Sequence, residues 1–150
     1  MSYQVDQSNK IENYGETILA LSNGTSFVIR IPARDKQAVI NYLLQSRRTT
    51  RKLSRLRIFA VGLYYFLQAL PPGEQVIIDM EYPGHEQNIR SMLLNLLWRD
   101  KPNFEADRIM FGYVGKKSNA HKKALAVHRG KVKADKIIKA DELLKQIIGQ

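Results

Sequence analysis

The sequence predicts an α/β fold, a mixed sheet carrying helices on both faces. Three observations predict it. Two β-rich runs flank an Asn-Gly turn near the N-terminus, a strong short-range signal for a hairpin. A short alternating run precedes that hairpin, so three strands come before the first helical pattern. Two apolar runs further on, Gln75–Met80 and Arg108–Val114, are each followed by a helical pattern, and strand–helix alternation builds parallel sheet.

Taken in order, Ser2–Val5 alternates as a strand and ends at Asp6, before a loop over Gln7–Gly15. Glu16–Leu21 (ETILAL) and Ser26–Ile31 (SFVIRI) are the hairpin strands, joined by Ser22-Asn23-Gly24-Thr25, and Pro32 ends the second. Asp35–Gln45 has helical apolar spacing. SRRTTR breaks it, and a long helix is expected over Lys52–Leu70. Its first turns are basic and its second half is apolar nearly all round, the pattern of a helix that starts at the surface and ends buried. Pro71-Pro72-Gly73 stops it.

Gln75–Met80 (QVIIDM) is continuously apolar up to Asp79, which predicts a central strand covered on both faces. Tyr82-Pro83-Gly84 turns the chain into an amphipathic helix over His85–Trp98, with Ile89, Met92, Leu93, Leu96 and Leu97 inward. KPNFEAD is a loop, and Arg108–Val114 (RIMFGYV) is the next strand. Ser118–Val127 is helical, with Ser118 or Asn119 as its N-cap. The basic stretch RGKVKADK follows, and Ala140–Ile148 is a closing helix. Tyr64, Tyr65 and Phe66 read as core, Trp98 as a cover for the core edge, and His85 as a helix-start residue. Repeats, low-complexity tracts and linkers are absent from the sequence, so a single domain over residues 1–150 is expected.

A chain of 150 residues with 44% hydrophobic content has enough apolar material for a real core. It contains no cysteine, which removes disulfides, thiolate metal sites and cysteine nucleophiles, and fits a reducing, cytoplasmic setting. MSYQVDQSNK has no apolar signal-peptide core. The longest apolar stretch, Ile58–Leu70, is interrupted by Gly62 and Gln68 and is shorter than the roughly 20 residues that span a bilayer. No membrane association is therefore expected. Phosphate-binding G-x-x-x-x-G-K-[ST] loops, dinucleotide glycine motifs and G-x-S-x-G elbows are absent from the sequence.

The net charge is +10, and it is clustered. Arg47, Arg48, Arg51, Lys52, Arg55 and Arg57 form one group. A basic segment over residues 116–139 carries Lys116, Lys117, Lys122, Lys123, Arg129, Lys131, Lys133, Lys136 and Lys139, with Asp135 opposing them. A large clustered positive field suits a polyanionic partner, nucleic acid above all. Its bland counterpart is a solvated, solubilising surface.

Against that background, VIIDMEYPGHE (Val76–Glu86) places two carboxylates where an apolar strand ends. Ending a buried strand in a charge is costly without a partner. Asp79 and Glu81 lie two apart, so on an extended strand they share a face. They are candidates for a shared divalent ion. The alternatives are a buried ion pair for Asp79 and a solvent-facing acid for Glu81.

The order β-β-β-α-β-α-β-α, with YQVDQS (Tyr3–Ser8), VIIDMEY (Val76–Tyr82) and KKSNAHKKALAVHRG (Lys116–Gly130), resembles the ribonuclease H-like nuclease superfamily, and in the texture of its last helix the RuvC-like Holliday-junction resolvases. The resemblance implies a ribonuclease H-like mixed sheet in which the first and fourth strands are neighbours and their terminal carboxylates meet. Carried onto this chain, it implies metal ligands at Asp6 and Asp79. It also implies a third arm at His121 or its neighbourhood; the chain departs from the family's usual acidic third arm in that no carboxylate lies between Lys116 and Ala134. Hard ions such as Mg²⁺ or Mn²⁺ take oxygen ligands, and metal-assisted phosphodiester hydrolysis needs converging carboxylates.

The function expected is a metal-dependent nuclease, resolvase-like on branched DNA. Asp6, Asp79 and Glu81 would hold the ion, and His121 would complete the catalytic set. Arg47, Arg48, Arg51, Lys52, Arg55, Lys116, Lys117, Lys122, Lys123, Arg129 and Lys131 would grip the nucleic-acid backbone, with DNA the expected partner ahead of RNA. A resolvase-like enzyme would be a homodimer, since a four-way junction needs two symmetric cuts. A non-catalytic nucleic-acid-binding protein on the same fold is the alternative, and an adaptor for an acidic protein a third.

Overall fold

The computed structural model describes residues 3–8, 11, 15–23, 25–46, 49–68, 70–80, 82–114, 119–130 and 133–148. Its elements follow the order β1 (Tyr3–Ser8), β2 (Thr17–Asn23), β3 (Thr25–Ile31), α1 (Ala33–Gln45), α2 (Arg51–Gln68), β4 (Val76–Asp79), α3 (Glu86–Asp100), β5 (Ile109–Gly112), α4 (Asn119–His128), β6 (Lys136–Ile137) and α5 (Ala140–Ile148). A 3₁₀ turn, Ala106–Arg108, leads into β5. The six strands form one sheet in the order β5-β4-β1-β2-β3-β6. β1, β2 and β3 are an antiparallel meander. β4 runs parallel to β1, β5 parallel to β4, and β6 parallel to β3.

Strand alternation sends side chains to two different cores. Val5, Leu19, Leu21, Ile29, Ile31, Val76, Ile78 and Ile109 face the larger core, which they share with the buried residues of α1, α2, α3 and α5. Ile18, Ala20 and Val28 face the other way, against Ala120, Ala124 and Val127 of α4. The alanines stand four apart on one face of α4, and their small side chains let the helix lie close to the sheet. Helices thus cover both faces, as expected, but unequally: one on one side and four on the other.

α2 runs eighteen residues, about 27 Å at 1.5 Å per residue. Its second half is buried on nearly every side, from Ile58 to Tyr64. Gly62 is required there, because the Leu19 side chain occupies the space a Cβ would take.

Three expectations need correction. β1 does not stop at Val5; it pairs with β2 as far as Ser8↔Ile18, so Asp6 sits inside the strand, opposite Ala20. β4 is not covered on both faces: Val76 and Ile78 are buried, whereas Ile77 and Asp79 are half-buried. The reason is the reach of α4, which packs over β1, β2 and β3 and leaves the Ile77/Asp79 face of β4 less covered than the face toward the larger core. The basic stretch before α5 also contains a strand. The Asp135 amide donates to the Val28 carbonyl (2.9 Å) and the Ile138 amide to that of Arg30 (3.0 Å), which docks β6 on β3.

Candidate active site

Asp6 follows Val5 on β1, so alternation turns it away from the larger core and toward α4. It is 4% exposed. One carboxylate oxygen accepts the Gln7 amide at 2.8 Å. The other lies 2.8 Å from Nδ1 of His121, in the first turn of α4. With a proton on Nδ1, His121 donates to an ionised Asp6.

Asp79 ends β4. The parallel register pairs Val5 with Ile78; one residue further, it sets Asp6 beside Asp79 on the same face of adjacent strands, about 4.8 Å apart. The Asp79 Oδ1 accepts the Val114 amide at 2.8 Å, which ties the segment after β5 to the end of β4. Burial pushes the Asp6 carboxyl above the usual carboxylate range. The Gln7 amide and His121 pull it back, and the Asp79 charge pushes it up further.

Asp6, Asp79 and His121 are therefore brought together, whereas Glu81 lies outside the described residues. Two adjoining carboxylates with an imidazole at their flank are a donor set suited to a hard divalent ion, whose charge would relieve their repulsion. Among the described residues, no three His, Asp or Glu side chains are grouped closely enough to hold a metal ion by themselves. Asp6 already spends both oxygens, on Gln7 and on His121.

The cationic candidates among the described residues lie on α2 and on or just past α4. Arg51 and Lys52 are exposed at the start of α2, and Arg55 is half-buried one turn on. Lys122 is exposed beside His121, Lys123 is half-buried, and Arg129 is exposed just past α4. Arg47, Arg48, Lys116, Lys117 and Lys131 lie outside the described residues, as does the N-cap candidate Ser118.

Three groups at the site escaped the reading of the sequence. The Val114 amide is backbone and has no side-chain signal. Gln7 is buried with neither end of its side-chain amide hydrogen-bonded; it lies within β1, paired with Leu19, and not in the loop expected over Gln7–Gly15. Tyr113 is 88% exposed, next to the residue that holds Asp79. Its position at the end of an apolar strand was visible, but its exposure depends on where the chain leaves the sheet.

No protein-family model matches the chain, and no curated protein matches it significantly.

Proposed function

We propose that this chain is a divalent-metal-dependent nuclease of ribonuclease H-like fold, resolvase-like in acting on branched DNA. The observation that carries the reading is the Asp6–Asp79 pair, set side by side by the parallel β1–β4 register with His121 hydrogen-bonded to Asp6. The sheet order supports it, since the first and fourth strands are neighbours, as the resemblance requires. So does a net charge of +10, because an acidic pocket in a basic surface suits an enzyme that holds phosphates outside and cations within.

In this reading Asp6 and Asp79 hold Mg²⁺ or Mn²⁺, with Glu81 as a further oxygen donor. The ion, when bound, supplies Lewis acidity at the phosphoryl oxygen and an activated hydroxide. His121 would orient Asp6 through Nδ1. Val114 holds Asp79 in place through its amide. Arg51, Lys52, Arg55, Lys122, Lys123 and Arg129 bind backbone phosphates, which gives affinity without sequence information.

A second reading is a nucleic-acid-binding protein without nuclease activity. It is favoured by one observation: the segment that would supply an acidic third arm has no carboxylate between Lys116 and Ala134. A cleavage assay separates the two. Labelled four-way junction, single-stranded DNA, duplex DNA and RNA–DNA hybrid are incubated with Mg²⁺, Mn²⁺ or EDTA, alongside Asp79→Asn. Metal-dependent cutting that the substitution abolishes while binding persists supports the nuclease. Binding without cutting in every lane supports the second reading.

A further inference from the structure

The helices on the larger-core side of the sheet enclose a cavity that the proposed function does not use. It lies between α2 and α3, with α5 adding Gln146 and Ile147, and has a volume of about 300 Å³. These helices pack on the sheet face opposite α4, so the cavity is separated by the sheet from the face that carries Asp6. Small-ligand sites begin at about this size, and they combine an apolar wall with a few convergent polar groups.

The helical repeat explains the wall. Leu53, Arg57, Ala60 and Val61 fall on one face of α2, at steps of four, three and one. Asn88, Ser91, Met92, Asn95, Leu96 and Arg99 recur in the same way on α3. Ala60 and Val61 are buried, and Leu53, Met92, Leu96 and Ile147 are partly buried against the larger core. They make an apolar floor. Asn88, Ser91 and Asn95 are exposed and make a polar rim along α3.

The charges in this lining are of one sign. It contains two guanidiniums, Arg57 and Arg99, and no carboxylate. Arg57 is half-buried and makes no ion pair with any described residue. Arg99 is tied to α5, where its Nη2 donates to the Gln146 Oε1 at 3.0 Å. A guanidinium presents a planar fork of donors that matches a carboxylate. An inorganic anion would gain nothing from the apolar floor, and a neutral hydrocarbon nothing from the arginines. A ligand that gains from both carries a carboxylate on an apolar body.

We infer that the α2–α3 cavity is a binding site for a small aliphatic monocarboxylate, its carboxylate on Arg57 and Arg99 and its chain over Met92 and Leu96. The inference stands apart from the nuclease reading, since it uses neither the acid pair nor a nucleic-acid ligand.

The test follows the methionine methyl signals of the full chain, labelled with methyl-¹³C methionine, in EDTA and without nucleic acid. The chain has four methionines, and the Met92 signal is assigned by its loss in Met92→Leu. The titrants are sodium octanoate, sodium hexanoate, 1-octanol, sodium acetate, and sodium chloride at matched ionic strength. Octanoate should shift Met92 saturably, and acetate and chloride should not. Hexanoate should bind several-fold more weakly than octanoate, since each buried methylene contributes up to about fourfold in affinity. Octanol should also bind several-fold more weakly than octanoate. That comparison reads the share of the carboxylate on the unaltered chain, so it does not depend on a variant that folds. Arg57→Gln should lower octanoate affinity several-fold and leave octanol binding unchanged, whereas Arg57→Lys should keep part of the octanoate affinity. The site is overturned if octanoate gives no saturable Met92 shift, if octanol binds as tightly as octanoate, or if Arg57→Gln binds octanoate as the wild-type chain does. Equal shifts at Met80 and Met110 would mark diffuse surfactant action and overturn it as well.

Discussion

At Asp6 the fold places a carboxylate in a nearly dry position, where ionisation is opposed by burial and by Asp79 and assisted by the Gln7 amide and His121. In the proposed nuclease reading, a bound divalent cation would offset that opposition. Mg²⁺ or Mn²⁺ should therefore raise the melting temperature of the wild-type chain, and should fail to raise that of Asp6→Asn or Asp79→Asn. Ligand at a hundred times its Kd adds about 2.7 kcal/mol, and each kcal/mol moves Tm by about 2–4 °C at this chain length. Differential scanning fluorimetry with and without the ion measures it. A residue outside the site offers a pH prediction. The Tyr64 hydroxyl is pushed up to about 12, by burial first and then by its hydrogen bond to Asp100. The folded state keeps a proton that the unfolded chain gives up near its ordinary value of 10. Stability is then full below about pH 10 and falls as pH rises toward 12. Tyr64→Phe should lessen that fall, seen as urea midpoints that converge less between about pH 9 and pH 11. Tyr65 is pushed up as well, so part of the fall remains in the variant.

Among the elements, the β1–β4 pairing sets the site and the β2–α2 contact holds the larger core against it. Gly62→Ala would drive a methyl into fully buried Leu19. Overpacking of that kind costs about 1–3 kcal/mol, to be read as a lower urea midpoint at unchanged slope. β6 is held by few bonds, one of them from the Val28 amide to the Asp135 carboxylate at 2.7 Å. Asp135→Ala should loosen β6 and the approach to α5, at a cost of about 1 kcal/mol because Asp135 is exposed. Faster amide exchange at Ile138 would report it. The strands with an internal signal were legible: alternation and the Asn-Gly turn placed β2 and β3, and α5 was read from Ala140 to Ile148, as found. β6 was not legible, because two residues among lysines carry no period and become a strand only when β3 offers them an edge.

Over the whole molecule, part of the charge of +10 is carried by Arg51, Lys52 and Arg55 of α2 and by Lys122 and Lys123 of α4, with Arg129 just past it. If this field holds nucleic acid, binding should weaken steeply with salt. The slope of log K against log [salt] should be about 0.9 per phosphate on a duplex. Fluorescence anisotropy in EDTA across a salt series gives that slope, and Lys122→Gln together with Lys123→Gln should flatten it by about two contacts. A flat salt response would point to a different partner for the basic surface.

What the sequence determined by itself is local: periodicity, breakers and turn residues set most of the strands and helices, the clustered charge was plain by counting, and VIID marked Asp79 as a costly strand end. Only the tertiary structure decided which of these meet. Parallel pairing of β1 with β4 involves residues more than seventy positions apart, and nothing in either segment states the register that brings Asp6 to Asp79. The His121–Asp6 bond spans 115 positions and exists because two alanines let α4 settle on β1 and β2. The Val114 amide on Asp79 arises in the same way. Hydrogen bonds and desolvation depend on distance in space, whereas sequence patterns report only distance along the chain.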